Sequence, residues 1–448
     1  RDGSSRFGAG RKFGYFPAVG LAWKVNKESF FYGNEWLVTN VNMFKIRGGW
    51  GKVGNENIGN YQFVGTSGID ANSSYSFGKN VVSGAVPLTI ANEDLHWEEA
   101  TSWNIGTDIN MFKNKVMFNF DYFIKKNMDN LIRIAVPAIV GVDGADKNPY
   151  VNTAEILNKG YELSLTYRNQ YATETMKHAF RYDVSANFTQ ITNEVVYQAE
   201  SELPGGFDQR GNVFVANTKE GYPIASFFGY QVDGVFQNWE QVNQSAQTNA
   251  APGDYKIVDV NGDGRISTAD ITYLGSPHPK FTYGFNANCG YAGFDLGFSF
   301  QGVHGNKIYN MTKWYLDGGD FGSNFSTRRL DVWSADNIGS DQPTDQTWFT
   351  GKNSLYPLSA FIEDGSYLRL KNITFGYTLP DEIAAKMRLN RCRVYTVIQN
   401  ALTFTKYSGF DPEIGTNETT NWEGPEFGID RGAYPQARSI VFGVNLEF

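Results

Sequence analysis

Cysteine, proline and histidine are scarce in this 448-residue chain, with 2, 15 and 4 copies. Cys289 and Cys392 lie in separate predicted strands and form no CxxC pair, so a disulfide framework or a structural zinc site is not expected, only packing. No run of about 18 apolar residues exists, which excludes a transmembrane helix. It does not exclude a membrane, because barrel strands alternate and keep the mean hydropathy low, here −0.39. His96, His178, His278 and His304 stand at no HExxH or paired spacing, and GxSxG, P-loop and GxGxxG motifs are missing, so no catalysis is expected. The neighbours Glu98 and Glu99 read as solvated loop charge before they read as a glycosidase pair. Positive charge is in deficit: the net charge of −8 and a pI near 5.2 argue against nucleic acid as the main partner. The chain opens at Arg1 without Met or a basic-then-apolar segment, so a processed or cleaved piece is expected, with any targeting peptide outside it.

What is abundant is aromatic and glycine: 34 Phe, 25 Tyr, 10 Trp and 48 Gly, a mixture that suits strands and turns. Period-2 alternation dominates. Ile440, Phe442, Val444, Leu446 and Phe448 share one face, opposite Ser439, Val441, Gly443, Asn445 and Glu447. Val116, Phe118, Phe120 and Tyr122 alternate with Asn119 and Asp121, and Tyr182, Val184, Ala186 and Phe188 with Arg181, Asp183, Ser185 and Asn187. A soluble sandwich alternates as well. Charged and amide side chains on the polar faces, and aromatic ends on the apolar ones, favour a wet lumen and interfacial girdles.

The connections sharpen this. Eleven spanning strands are predicted at 15–25, 42–53, 102–112, 115–125, 156–168, 180–192, 281–291, 294–302, 366–379, 391–405 and 438–448. Turns near 113–114, 169–179, 291–293 and 380–390 are short, whereas 55–101, 138–155, 303–360 and 408–437 are long. Antiparallel parity then places the long connections outside and the short ones in the periplasm, with the C-terminus periplasmic. The scheme requires 193–280 to be a single extracellular excursion in which Ala225–Gln237 does not span. The expected fold is all-β: residues 1–448 form the C-terminal eleven or so antiparallel strands of a transmembrane β-barrel of about 22 strands. Eleven strands with two open edges are not expected to stand alone, so the N-terminal half of the barrel must come from a preceding segment or a second chain.

Several segments resemble the SusC/RagA family of TonB-dependent outer-membrane transporters. They are Arg1-Asp2-Gly3-Ser4-Ser5-Arg6-Phe7-Gly8, Gly14-Tyr15-Phe16-Pro17, Lys45-Ile46-Arg47, Gly54-Asn55-Glu56-Asn57-Ile58-Gly59 and Asn158-Lys159-Gly160-Tyr161-Glu162, then Asp233-Gly234-Val235-Phe236-Gln237, Asp259-Val260-Asn261-Gly262-Asp263-Gly264, Gln399-Asn400 and Asp411-Pro412-Glu413. The resemblance implies an N-terminal plug and a TonB-contacting segment, both outside this chain. It also implies a SusD-like surface lipoprotein as a lid, and an aromatic end at Phe448 that suits barrel assembly.

One local motif carries possible metal chemistry. Residues 259–270 fit the calcium-loop pattern at positions 1, 3, 5 and 6, with Asp in place of Glu at position 12. Asp259, Asn261 and Asp263 would supply side-chain oxygens to Ca²⁺, Arg265 its carbonyl, Ser267 a hydroxyl or a water, and Asp270 a carboxylate. No long helix precedes the loop, and an Asx/Gly turn held by local hydrogen bonds is the competing reading. Candidate substrate-stacking aromatics are Trp314, Tyr315, Trp333, Trp348 and Trp422, with Trp239 and Tyr356 beside them; Asp317, Asp320 and Asn324 are candidates for binding hydroxyls. Loop packing or lid contact is their alternative role.

The expected function is TonB-dependent import of a nutrient, an oligosaccharide or a peptide, with no covalent chemistry. A passive porin is a second reading. A soluble glycan enzyme or binding module with a dockerin-like loop is a third, weakened because a dockerin repeats that loop and only one copy occurs here.

Overall fold

The computed structural model describes residues 1–69, 74–134, 136, 139, 148–169, 180–199, 202–208, 213–318, 324–344, 357–415 and 426–448. Its main element is an eleven-stranded sheet in which spatial order follows chain order and every neighbouring pair is antiparallel. The strands are β1 Ala18–Lys24, β2 Val41–Asn55, β3 Glu98–Met111, β4 Val116–Arg133, β5 Tyr150–Arg168 and β6 Arg181–Gln198. They continue as β7 Phe281–Tyr291, β8 Phe294–His304, β9 Tyr367–Thr378, β10 Arg391–Thr405 and β11 Ser439–Glu447. These are the eleven strands predicted from alternation. The sheet is open, since its edges β1 and β11 do not pair with each other. Among the described residues no helix is long and apolar enough to cross a membrane.

The tight turns follow from backbone chemistry. Between β7 and β8, Ala292 and Gly293 both take positive φ, 49° and 88°, the geometry that two-residue hairpins require. Between β3 and β4, Phe112, Lys113 and Asn114 do the same at 54°, 59° and 63°. The 380–390 turn contains a helix, Asp381–Lys386, that buries Ala384 against Leu389 and Cys392. Cys289 and Cys392 are both unpaired.

Two boundaries differ from expectation. β4, β5 and β6 run for 18, 19 and 18 residues, beyond the roughly 9–11 that span a bilayer. The long connection placed at 138–155 is therefore shorter, and the excursion placed at 193–280 begins after Gln198. Alternation weakens at these ends because both faces meet water or loops, so the period-2 signal stops before the hydrogen-bond ladder does.

Consecutive antiparallel strands put alternate connections at the same end. Those after β2, β4, β6, β8 and β10 share one end. Segments of the last three condense into a satellite core containing Phe227, Tyr230, Tyr255, Tyr309, Met311, Leu358, Phe361 and Ile429. Within it, Ser226–Gly229 and Val232–Val235 are short strands of small separate sheets, so Ala225–Gln237 does not join the large one. A second core joins the N-terminal segment to the β2–β3 connection, with Phe7, Ile58, Leu95 and Trp97 buried together and Arg6 Nη1 donating to the Glu56 carbonyl at 2.9 Å.

Candidate functional site

Alternation gives the sheet two faces of opposite character. The apolar face leaves Leu21, Trp103, Phe285, Phe375 and Phe442 exposed, with Leu21 77% and Phe442 80% accessible. A continuous apolar surface of this kind calls for an apolar medium or partner.

The polar face is wired by cross-strand bonds. Register sets Lys45 of β2 opposite Asp108 of β3, and Asp108 opposite Asn119 of β4. Lys45 Nζ reaches Asp108 at 3.0 Å, Asn119 donates to it at 2.9 Å, and Arg47 bridges Asp108 at 3.3 Å and Asp121 at 2.5 Å. Gly106 lies between them. A Cβ there would meet Asp121 Oδ1, the Phe120 carbonyl at 2.8 Å and Arg47 Cζ at 3.0 Å, so glycine supplies the trough in which the guanidinium lies. The same device recurs at β9. A Cβ on Gly376 would lie 2.6 Å from Arg393 Nη2 and from both oxygens of Asp295, which themselves pair at 2.6 and 2.9 Å. Uncharged groups continue the face: Ser299 donates to Asn286 at 2.7 Å, and Asn286 to Ser185 at 3.4 Å.

At the other end of β9, Arg369 is 1% exposed. It donates to Thr403 Oγ1 at 2.9 Å, Asp411 Oδ1 at 2.5 Å and Glu413 Oε2 at 2.7 Å, and Lys371 also holds Glu413, at 2.8 Å. Burial alone would raise the Asp411 carboxyl. The N–H groups of Gln436 and Glu413 and the Arg369 guanidinium outweigh it and hold the group below the usual carboxylate range. Sequence reading singled out Asp411-Pro412-Glu413 but not Arg369, since pairing between 369 and 411 appears only once the chain is folded.

The aromatic candidates separate. Trp314 is 8% exposed and lies in the satellite core, edge-on to Tyr315 at 4.9 Å; Tyr315 and Trp333 pack against that same core. The structure thus brings these three together in a core and not on a display surface. Apolar loop residues, once numerous enough to form a core, bury each other first. Trp239 does face outward, at 60% exposure, and the Asp317 carboxylate is occupied by Arg328 at 3.0 Å. Trp348, Trp422, Tyr356 and Asp320 lie outside the described residues. Glu98 and Glu99 are consecutive in β3, so their side chains leave on opposite faces. Glu98 accepts from the Leu131 N–H at 3.3 Å, and Glu99 pairs with Lys52 at 2.7 Å.

The 259–270 loop is closed by its own backbone. Asp259 accepts from the Gly262 and Gly264 N–H groups, both at 2.8 Å, and Gly262 and Gly264 take φ of 74° and 80°. Asn261 accepts from Asp263 N–H, and Asp263 from Arg265 N–H, both at 2.9 Å. Asp270, 0% exposed, accepts from Val260 at 3.0 Å and from Ser267 at 2.8 Å. The Ser267 N–H bond is the largest of the contributions holding the Asp270 carboxyl below its ordinary range, against burial. Among the described residues, no three His, Cys, Asp or Glu side chains are grouped to hold a metal ion. Asn261, a carbonyl and Ser267 would have to complete any such site.

Residues 1–401 match the family model described as TonB dependent receptor-like, beta-barrel. TonB-dependent receptor P3 of Formosa agariphila is 33% identical over 458 residues, covering 100% of this chain and 43% of that protein. TonB-dependent receptor SusC of Bacteroides thetaiotaomicron is 28% identical, covering 100% of this chain and 41% of that protein. This chain thus spans less than half the length of these curated relatives. Among solved structures, the RagAB peptide transporter aligns with a TM-score of 0.76 at 24% identity, over 100% of this chain and 45% of that one, a likeness of fold.

Proposed function

The chain belongs to the TonB dependent receptor-like β-barrel family, and from that premise we propose that it forms half the wall of an active outer-membrane importer. The observation that carries this reading is the two-faced sheet, with an exposed apolar face for lipid and an ion-paired, amide-rich face for a wet lumen. In this reading the long connections face outward and Phe448 lies at the periplasmic rim. The plug and the TonB-contacting segment come from the rest of the protein, and a SusD-like surface lipoprotein covers the mouth.

The cargo we propose is an oligosaccharide. Asn187, Asn286, Asn288, Ser299 and Gln301 offer the polar face donors and acceptors suited to hydroxyl groups. The loops and lid capture the sugar, and TonB acting on the plug supplies the energy. No bond in the cargo is made or broken, so these residues bind and release only.

The 259–270 loop, we further propose, takes Ca²⁺ as a structural ion. Each carboxylate oxygen that accepts one backbone N–H keeps a lone pair for a cation. Asp259, Asn261, Asp263, the Arg265 carbonyl, Ser267 and Asp270 would hold it and brace the excursion after β6.

The deciding experiment is uptake of a labelled oligosaccharide by cells with and without TonB. Loss of uptake without TonB is expected, and unchanged uptake would make the protein a passive porin. Mass spectrometry of cargo co-purified in mild detergent separates a sugar from a peptide.

A further inference from the structure

The sheet is not closed along its full height. β6 and β7 pair only as far as Thr189 and Thr282, although β6 continues to Gln198. β7 itself begins at Phe281, so above that point β6 runs on without it, and a cavity of about 850 Å³ lies beside the unpaired stretch. Ile191 and Asn193 line it from β6, and Phe281 from the start of β7.

Two lysines line it as well. The stem of Lys280 lies over Gly305, where a Cβ would come within 2.7 Å of Lys280 Cγ. The stem of Lys307 lies over Gly275, where a Cβ would come within 2.6 Å of Lys307 Cγ. Both glycines have positive φ, 83° and 134°, so a side chain there is disfavoured twice over. Neither ammonium lies within ion-pair distance of a carboxylate among the described residues, although Lys307 stands opposite Asp364 in register and attracts it. Asp364 is the one carboxylate of the lining, and its Oδ1 already accepts from the Ser366 N–H at 3.0 Å and hydroxyl at 2.6 Å. Burial pushes the His278 pKa down, and its Nε2 lies 3.0 Å from the Ile224 carbonyl. Two lysines facing one aspartate leave the cavity net positive.

The wall beside the lysines is aromatic and belongs to the sheet's apolar face, since Phe281 shares the parity of Phe285 in β7 and Phe188 pairs with Tyr283. Phe281 stacks on His304 at 4.7 Å and on Phe188 at 5.2 Å, and Phe188 stacks on Tyr161 at 6.0 Å. Phe281 is sandwiched between His304 and Phe188, so these rings set an apolar border, not a free stacking face, beside the ammonium groups.

We propose that this cavity binds an acidic sugar unit, with Lys280 and Lys307 holding its carboxylate, sulfate or phosphate and Phe281 and Tyr161 bordering it. The identity of the ligand as a sugar rests on the oligosaccharide reading above. Binding, however, is measured without TonB, so failure of this site and failure of the import reading are told apart.

The test is calorimetric titration of the purified full-length protein in detergent. The probes are a uronate oligosaccharide, a sulfated one, the neutral oligosaccharide of matching length, and a phosphorylated glycolipid in micelles. Lys280→Ala and Lys307→Ala should each weaken the acidic ligands roughly tenfold, as loss of a charged hydrogen bond does. Lys→Arg at both positions should retain binding, and the neutral sugar should bind weakly and identically to all variants. Lysine dependence for the glycolipid alone would keep the site and assign its acidic sugar to the surrounding leaflet. Unchanged affinity for every acidic probe in a normally melting Lys280→Ala/Lys307→Ala protein would overturn the proposal.

Discussion

Arg369 and Asp411, 42 positions apart in sequence, share a buried ion pair at 2.5 Å that ties the connection after β10 to the wall at β9. Removing one partner of such a pair strands the other, at a cost of about 3–5 kcal/mol. Arg369→Met should therefore release residues 406–415 before the sheet melts. Limited proteolysis is expected to cut there in the variant and not in the parent, and equal resistance would show the loop to be held by other contacts.

The same pair carries a pH dependence. The folded Asp411 carboxyl sits below its ordinary value, so its contribution is present above the unfolded value, about 3.9, and fades as pH falls below that. Protease sensitivity of 406–415 should be flat from pH 8 to pH 5 and rise under stronger acid. In Asp411→Asn that acid step should shrink, which a proteolysis series across pH reads directly.

Gly106 is predicted to be intolerant of any side chain. The space a Cβ needs is taken by Asp121 Oδ1, the Phe120 carbonyl and Arg47. Gly106→Val should displace the guanidinium and destabilise by about 1–3 kcal/mol, seen as a lower melting temperature in detergent. Gly20, which has nothing within 4 Å of its Cβ position, is the control expected to accept alanine.

The strands were legible in the sequence because a membrane wall imposes alternation on every residue that spans. Phe442 and Val444 declare their face without knowledge of any partner. The sites were less legible. Asp108 and Asp121 were visible as polar-face residues, but their pairing with Arg47 depends on the register between β2, β3 and β4. Arg369 looked like any strand charge. Trp314 and Tyr315 looked displayed because loops read as surface, whereas three loops packed together make a core of their own. Of the segments that carry the family resemblance, Phe7 and Ile58 enter one buried cluster, and the Asp411 segment closes on Arg369. In these two cases the motif marks the joint between a loop and the wall.

The calcium proposal predicts a thermal shift. Addition of Ca²⁺ to chelator-treated protein should raise the melting temperature, by mass action, and Asp259→Asn together with Asp270→Asn should abolish that rise. An identical melt with Ca²⁺ and with chelator would leave the loop as a self-capped turn, already closed by the bonds from Gly262, Gly264 and Ser267.

The face assignment is tested by two neighbours at one depth. Val441 and Phe442 are adjacent in β11, so their side chains leave on opposite sides of the sheet. Phe442 pairs across to Thr396 and Val441 to Val397. If the Phe442 side meets hydrocarbon, Phe442→Lys places an ammonium in lipid at a cost of about 2–4 kcal/mol near the bilayer midplane. Val441→Lys places the same charge in a wet lumen and should cost little. Reversible unfolding of the full-length protein in lipid vesicles would resolve the two. Equal costs would mean that the sheet does not separate lipid from water, and the barrel-wall reading would fail with them.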